Sequence, residues 1–241
     1  MNAPIEVFFW PTPNGRKITI ACEEMGLDYV LRPVDIGRGE QFKPEFLAIS
    51  PNNRMPAITD PDGPGGQPIS VFESGAILQY LGRKTGQFYP ADERKRVEVD
   101  EWLFWQMGGL GPMAGQANHF RHYAPTMVAD ARMTAYGAAR YTNEVERLFG
   151  VLDKRLRGRA FVAGDYSIAD MAIWPWTRGW KAFGQDLDQF PDLKAWSERI
   201  EARPAVQAAA DKGEEMRRNL ADHTDEAAAA RAVLFGQRAR A

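Results

Sequence analysis

The chain has 241 residues, of which 44% are hydrophobic and 26% charged, a globular composition that excludes a disordered or collagen-like chain. Its formal net charge of −2 lacks the basic excess typical of nucleic-acid-binding proteins. The single cysteine, Cys22, rules out an internal disulfide, so we expect a cytoplasmic protein. We expect no leader peptide, because the N-terminal residues run straight into a strand pattern without a basic or an apolar region. We expect no membrane partner, because the longest uncharged stretch, 102–120, is interrupted by glycine, proline and amide residues.

The first third of the chain begins with the pattern of a parallel strand pair. Residues 5–9 are a β-rich run, and the turn-forming segment 10–15 follows it. Apolar residues with helical spacing then occupy 18–25 and stop at Gly26, and 28–34 is a second predicted strand. A strand, a helix and a strand in this order predict a βαβ unit with a right-handed crossover.

The next segment predicts an antiparallel hairpin and a closing helix. A short helix is predicted over 42–49, and strands over 57–60 and 69–72 are separated by a segment rich in proline and glycine. Ser74 is a candidate N-cap for a helix that ends near Gly86. The predicted order is therefore βαβαββα, which is the order of a thioredoxin-like α+β domain.

The pattern changes near residue 90, beyond which we find helical periods and no strand signal. One predicted helix has an apolar face from Tyr141 to Leu156, and Ser167 and Asp170 form a capping-box pattern before another helix. An all-α C-terminal domain is predicted. The predicted organisation is a domain over 1–88, a linker over 89–94, the all-α domain over 95–220 and an extension over 221–241.

Thr12 and Asn14 are the candidate catalytic residues. They lie in the turn after the first strand, where the free N–H groups and the dipole of the first helix favour an anion. The turn has no thiol of its own, but its hydroxyl and amide are suited to stabilising a thiolate that belongs to a ligand. The alternative is that both residues only form the turn and the N-cap.

Arg16 and Lys17 fall in the first turn of the same predicted helix, where cations oppose the helix dipole. An anionic ligand would offset this unfavourable interaction. Exposed side chains without a role are an equally good explanation of the pattern.

Other residues that could carry chemistry fit structural roles better. Cys22 lies on the apolar helical stripe, which favours a buried thiol. His119 and His122 have no third ligand at a suitable spacing, so we expect no metal. The tryptophans are expected in the core or at a subunit interface, and the chain has no nucleotide-binding or serine-hydrolase motif.

The sequence resembles the cytosolic glutathione transferase family over nearly its full length. Two segments match general family signatures, and three others resemble the bacterial nu class and its fungal nitrogen-regulator relatives. The general signatures are Phe-Glu-Ser-Gly-Ala-Ile at 72–77 and Tyr-Ser-Ile-Ala-Asp at 166–170. The nu-class segments are 11–15, 50–57 and 103–113.

The resemblance implies the glutathione transferase fold in a homodimer, with the helical domain supplying acceptor-substrate and dimer contacts. It implies that Glu73 and Ser74 hold the γ-glutamyl end of glutathione and that Met55 pairs its backbone with the cysteine. A cis bond between Met55 and Pro56 is also implied. The remaining implied contacts are Gln41 and Arg54 at the glycine end, and Arg140.

The resemblance also implies a chemistry. The catalytic tyrosine of several transferase classes has no obvious equivalent, and Thr12 replaces the cysteine of glutaredoxin-like branches. The nu class implies disulfide reduction with two glutathiones in one site and no metal, with Thr12 and Asn14 donating to the sulfur. The alternatives are a transferase, isomerase or peroxidase acting on small electrophiles, and a non-catalytic regulator that binds glutathione and a protein partner.

Overall fold

The structure is a computed structural model that describes residues 3–220 and 235–236. Apart from 235–236, the predicted extension over 221–241 lies outside the described residues. Two compact units divide the chain, one formed by residues 1–81 and 204–241 and the other by residues 82–203. The domain and linker boundaries predicted from the sequence stay predictions.

Regular elements account for most of the described chain. The strands are β1 (Ile5–Phe9), β2 (Tyr29–Pro33), β3 (Ala57–Asp60) and β4 (Ile69–Phe72). The helices are α1 (Pro13–Glu24), α2 (Pro44–Leu47), α3 (Ser74–Thr85), α4 (Glu93–Trp105), α5 (Gly111–Asn118), α6 (Ala131–Leu156), α7 (Ile168–Thr177), α8 (Pro191–Glu201) and α9 (Pro204–Leu220). Short 3₁₀ segments and two single π turns, Gln106–Leu110 and His119–Tyr123, connect them.

The first unit contains a four-stranded sheet in the order β2-β1-β3-β4. β1 and β2 are parallel, whereas β3 pairs antiparallel with β1 and with β4. The predicted βαβαββα order and the thioredoxin-like fold are confirmed. Ile5, Val7 and Phe9 alternate with half-buried residues along β1, because successive side chains of a strand point to opposite faces.

Two apolar layers cover this sheet within the first unit. α1 buries Ile18, Ala21 and Cys22 and packs against α9, whose Gly213 would bring an added Cβ to 3.9 Å from the Phe9 ring. A separate cluster of Val34, Phe46 and Ala57 packs with Phe8, Ile49 and Met55. Full burial of a large apolar side chain contributes about 1.5–3 kcal/mol, so these two layers stabilise the folded first unit.

The second unit, residues 82–203, is helical as predicted. The predicted apolar face of α6 is confirmed, with Val145, Phe149 and Leu152 fully buried. The predicted capping box begins α7, where the Ser167 hydroxyl and the Asp170 carboxylate each satisfy a backbone N–H. No helix in the described ranges is both long enough and apolar enough to cross a membrane.

Candidate functional site

The sheet register brings three loop segments to one end of the first unit. Ala57 pairs with Phe8 near the end of β1 and with Phe72 at the end of β4. The segment after β1, the segment before β3 and the segment after β4 therefore leave the sheet at the same end. These segments are residues 10–14, 54–56 and 73–74. They contain the predicted residues Thr12, Asn14, Arg54, Met55, Glu73 and Ser74.

Thr12 is the N-cap of α1. Its hydroxyl oxygen accepts a hydrogen bond from the Gly15 N–H at 3.3 Å, and its carbonyl accepts one from the Arg16 N–H at 3.1 Å. Pro13 has no N–H to offer. Two backbone amides of the first turn are thus engaged by Thr12 itself. The Thr12 hydroxyl, which donates to the Trp10 carbonyl at 3.5 Å, and the amide of half-buried Asn14 supply side-chain donors on this turn.

Gly15 lets the start of α1 approach β1 closely. A Cβ at this position would lie 2.4 Å from the Trp10 carbonyl oxygen and 2.9 Å from the Phe9 ring. Atoms this close would force the turn to shift, so the requirement for glycine is steric. The sequence indicated a turn here, but the close approach that fixes its position depends on the packing of Phe9.

The expectation that Arg16 and Lys17 could be exposed side chains is wrong, because both side chains are buried. Lys17 is 0% exposed, and its Nζ donates to the Ser74 hydroxyl oxygen at 3.3 Å. Burial lowers the pKa of Lys17 to about 7, and the charge of Glu73 opposes this shift. Arg16 is also buried and forms an ion pair with Glu214 of α9 at 3.2 Å.

Lys17 is the residue near this end of the sheet that the sequence reasoning did not assign. A usable signal existed, because Lys17 precedes Ala21 by four residues and therefore lies beside the buried stripe of α1. The pattern alone could not reveal the Ser74 contact, since the two residues are 57 positions apart.

Glu73 occupies a strained backbone conformation. Its φ is 69°, in the left-handed region that residues other than glycine adopt at a cost of about 1 kcal/mol or more. The side chain is exposed and accepts a hydrogen bond from Asn52 Nδ2 at 3.4 Å. Ser74, which follows it, is buried at the start of α3. Strain of this kind is concentrated at functional sites.

The Met55–Pro56 bond is cis, as the resemblance implied. The Ser50 hydroxyl donates to the Arg54 carbonyl at 2.9 Å and so fixes the loop before this bond. The Met55 side chain packs on the apolar cluster around Phe46, which holds its backbone at the end of the sheet. The Arg54 side chain itself is exposed.

Gln41 is buried, with 1% of its surface exposed, and its amide nitrogen donates to the Ile36 carbonyl at 3.3 Å. The side-chain amide oxygen of Gln41, Oε1, has no hydrogen-bond partner within residues 3–220 and 235–236. An unsatisfied buried acceptor costs about 1–3 kcal/mol, which a ligand N–H would offset. Arg140 is exposed on α6, in the second unit.

Cys22 is buried, and His119 and His122 belong to no cluster of potential metal ligands in the described part of the chain. Cys22 is fully buried as predicted, and burial raises the pKa of its thiol to about 12, which disfavours the reactive thiolate. The His122 ring nitrogen Nε2 lies 3.0 Å from the Ala182 carbonyl, and burial lowers the pKa of His119. Across the part of the chain that the structure describes, no group of three or more His, Cys, Asp or Glu side chains could hold a metal ion.

A thioredoxin-like unit with a cis-proline and a strained Glu-Ser turn at one sheet end, together with a helical unit, defines a class of two-domain glutathione proteins. The family model described as glutathione S-transferase, N-terminal domain, matches residues 12–84. The model described as glutathione S-transferase, C-terminal domain, matches residues 128–204. The chain belongs to the glutathione S-transferase family.

Individual relatives are similar over most of the chain. The disulfide-bond oxidoreductase YfcG of Escherichia coli is 52% identical over 204 residues, covering 84% of this chain and 92% of the relative. A Pseudomonas fluorescens glutathione transferase family member, crystallised with two glutathiones bound, has 44% identity, a TM-score of 0.79 and coverage of 86% and 92%. A Pseudomonas putida glutathione transferase with one glutathione disulfide bound per subunit has 45% identity, a TM-score of 0.80 and coverage of 86% and 90%.

Proposed function

We propose that this protein reduces disulfide bonds with glutathione as the electron donor. The observation that carries the proposal is the turn at the start of α1, which offers the Thr12 hydroxyl and Asn14 but no thiol of its own. The reacting thiol must then belong to a bound molecule. In a glutathione-dependent disulfide reductase, that molecule is glutathione. The relative that is 52% identical is named a disulfide-bond oxidoreductase, which supports this choice of reaction.

Glutathione binds along the end of the sheet in this proposal. Its ammonium group pairs with the exposed Glu73 carboxylate, and its α-carboxylate accepts from Ser74 at the N-terminus of α3, where the helix dipole favours an anion. The Met55 backbone pairs with the cysteine residue of the ligand. Gln41 and Arg54 hold the glycine end, where a peptide N–H supplies the donor that the Gln41 carbonyl lacks. The role of Arg140 stays a prediction of the family resemblance.

The reaction proceeds by two thiol–disulfide exchanges. The thiolate of the first glutathione, stabilised by Thr12 and Asn14, attacks one sulfur of the substrate disulfide, forms a mixed disulfide and releases one substrate thiolate. The thiolate of a second glutathione attacks the glutathione sulfur of the mixed disulfide and releases the other substrate thiolate. Glutathione is oxidised to its disulfide and the substrate gains two electrons. The bound pair of glutathiones in the Pseudomonas fluorescens relative supports room for both.

A comparison of two substrates tests the proposed reaction. The purified protein is assayed with glutathione and 2-hydroxyethyl disulfide, with NADPH and glutathione reductase reporting glutathione disulfide formation. The same preparation is assayed for conjugation of 1-chloro-2,4-dinitrobenzene. We expect faster turnover of the disulfide. Faster conjugation would identify a conjugating transferase instead, and glutathione binding without either reaction would identify a non-catalytic binding protein.

We further propose that the protein is a cytoplasmic homodimer of the nu class. Val97 and Phe104, seven residues apart on one face of α4, are 47% and 65% exposed, which supports a subunit contact on this face. A single, buried cysteine fits a reducing compartment. The Thr-Pro-Asn turn and the Asn-Asn-Arg-Met-Pro segment support the class.

Sedimentation velocity at micromolar concentration tests the dimer. We expect a dimer for the natural sequence and for Lys194→Met, which alters an exposed lysine elsewhere on the helical unit. Phe104→Asp should dissociate it, because a carboxylate would be buried without a partner at the contact. A monomeric natural protein, or a dimer that tolerates Phe104→Asp, would contradict the α4 interface.

A further inference from the structure

Lys17 places a buried amino group directly behind one of the proposed ligand contacts. Its Nζ lies 3.3 Å from the Ser74 hydroxyl oxygen, and the side chain is completely shielded from solvent. A lysine is rarely buried this fully unless it interacts with other polar groups. Lys17 is the fifth residue of α1, and its Nζ lies against the first residue of α3, a helix N-terminus whose dipole disfavours a cation.

We propose that Lys17 is a positioning residue for glutathione: its ammonium form directs the Ser74 hydroxyl toward the α-carboxylate of the ligand, and its neutral amine form takes up a proton when that carboxylate binds. This inference rests on the proposed function. It adds a buried, proton-linked residue to the end of the site that holds the γ-glutamyl group.

The direction of the Ser74 hydrogen bond depends on the charge of Lys17. An ammonium group can only donate, so the Ser74 oxygen accepts from it and the hydroxyl proton can point to a ligand carboxylate. A neutral amine carries a lone pair and can accept the Ser74 proton instead. The hydroxyl would then turn toward Lys17 and the carboxylate would lose a donor.

The charged groups around Lys17 make its protonation sensitive to a ligand. Among the described residues, Glu73 carries a charge that favours the ammonium form, while burial lowers the pKa of Lys17 to about 7. Two charged side chains of α9, which packs against α1, form ion pairs with other residues of α1. Glu214 pairs with Arg16, and Lys212 Nζ lies 2.5 Å from a carboxylate oxygen of Glu23.

Glutathione changes this balance at two points. Its ammonium group neutralises Glu73, which removes part of the support for Lys17. Its carboxylate approaches Ser74, the direct partner of Lys17, and adds a nearer negative charge. Because electrostatic interactions weaken with distance, we expect the carboxylate to dominate and the pKa of Lys17 to rise by about one unit on binding.

The sign of the pH dependence follows from this rise. Affinity is highest at a pH where Lys17 is protonated before binding, and it falls as the pH rises through the higher pKa of the complex. A rise of about one unit corresponds to about tenfold weaker binding at high pH. Near pH 7.5, between the two pKa values, binding should take up about half a proton.

Calorimetric titration with S-methylglutathione measures this proton directly. The methyl group removes the titrating thiol, so ionisation of the cysteine cannot contribute. Binding enthalpies measured in phosphate and in Tris at pH about 7.5 differ by the number of protons taken up times the difference in buffer ionisation enthalpy. We expect uptake of about half a proton for the natural protein and for the exposed control Lys194→Met.

Two variants and one altered ligand complete the test. Lys17→Met should abolish the uptake and weaken binding about tenfold at pH about 6, while Lys17→Arg should keep the affinity without proton uptake, because arginine stays charged. An S-methyl analogue that lacks only the α-carboxylate should bind the natural protein without uptake. This last comparison needs no variant and decides the question even if Lys17→Met fails to fold.

Binding of S-methylglutathione without proton uptake by the natural protein would overturn the inference alone. Uptake that persists in Lys17→Met, or with the analogue that lacks the carboxylate, would also overturn it. A natural protein that does not bind S-methylglutathione at millimolar concentration would contradict the proposed function itself, and this inference would fail with it.

Discussion

The Thr12 hydroxyl oxygen accepts the Gly15 amide at a distance of 3.3 Å, so the residue predicted to stabilise a thiolate is also the N-cap of α1. The two roles are compatible, because a hydroxyl group accepts through its lone pairs and donates through its proton. The cap fixes the position of the oxygen. A nearby thiolate can then receive the hydroxyl proton in place of the Trp10 carbonyl, which is a distant acceptor at 3.5 Å.

Removing a donor from this turn should slow disulfide reduction mainly near neutral pH. A charge-assisted hydrogen bond contributes about 1.5–3 kcal/mol, so Thr12→Val or Asn14→Ala should raise the pKa of the bound glutathione thiol by about one to two units. Turnover at pH 7 should fall about tenfold or more and recover in part toward pH 9. The measurement is the pH profile of kcat with 2-hydroxyethyl disulfide.

Thr12→Ser is the matched control, since it keeps both the hydroxyl group and the cap. Its profile should follow that of the natural protein. Thr12→Val should also lower the free energy of unfolding by about 1 kcal/mol through loss of the cap. If Thr12→Val, Asn14→Ala and the double variant all keep natural turnover and an unshifted profile, the side-chain mechanism is wrong.

Replacing Glu73 should weaken binding of the ligand, and replacing it by glycine should also make the protein more stable. Glu73→Gln removes the charge that pairs with the ligand ammonium, so S-methylglutathione should bind about tenfold or more weakly. Glu73→Gly should weaken binding similarly but raise the free energy of unfolding by about 1 kcal/mol, because glycine adopts the observed φ of 69° without strain. Calorimetric titration and thermal unfolding measure the two effects. Unchanged affinity in both variants would remove Glu73 from the site.

Cys22 should be dispensable for the reaction. Its thiol is fully buried, and burial raises its pKa to about 12, so it can act neither as nucleophile nor as resolving thiol at neutral pH. Cys22→Ala should keep disulfide reduction within about twofold and lower the free energy of unfolding by about 1 kcal/mol. In the native protein the thiol should resist iodoacetamide. Loss of most activity in a folded Cys22→Ala protein would point to a different mechanism.

The sequence predicted best those features that short-range chemistry determines. The two strands of the hairpin, Ala57–Asp60 and Ile69–Phe72, have the predicted bounds because proline and glycine flank them. β2 is shorter than the predicted 28–34, ending at Pro33, because the ladder extends only over the five residues of β1. The capping box of α7 was likewise visible as a local pattern.

The features that the sequence did not predict depend on contacts between distant segments. The burial of Lys17 requires α3, and the ion pair of Arg16 requires α9, whose apolar positions do not specify which helix they cover. The left-handed backbone at Glu73 has no local cue, since glutamate normally avoids that conformation. The family resemblance supplied the Glu73–Ser74 pair, but only the structure revealed the strain and the buried lysine behind it.

Asp170 should make the stability of the protein depend on pH in an unusual direction. Its side chain is fully buried and accepts hydrogen bonds from the Val162 and Ser167 amides and from Trp196 Nε1. These donors favour the carboxylate, but burial outweighs them and raises the pKa of Asp170 from 3.8 to about 6. The folded state therefore keeps a proton that the unfolded state loses, so the contribution of Asp170 to stability is greatest below pH 4 and is lost as the pH rises through 6. Asp170→Asn cannot titrate and should be less stable by about 2–4 kcal/mol near pH 4, because an amide replaces the acceptor of the capping box. The stability difference between the natural protein and Asp170→Asn should shrink by about 2–3 kcal/mol between pH 4 and pH 7. Urea unfolding at several pH values measures it, and a difference that stays constant or grows with pH would show that the hydrogen bonds to Asp170 outweigh its burial.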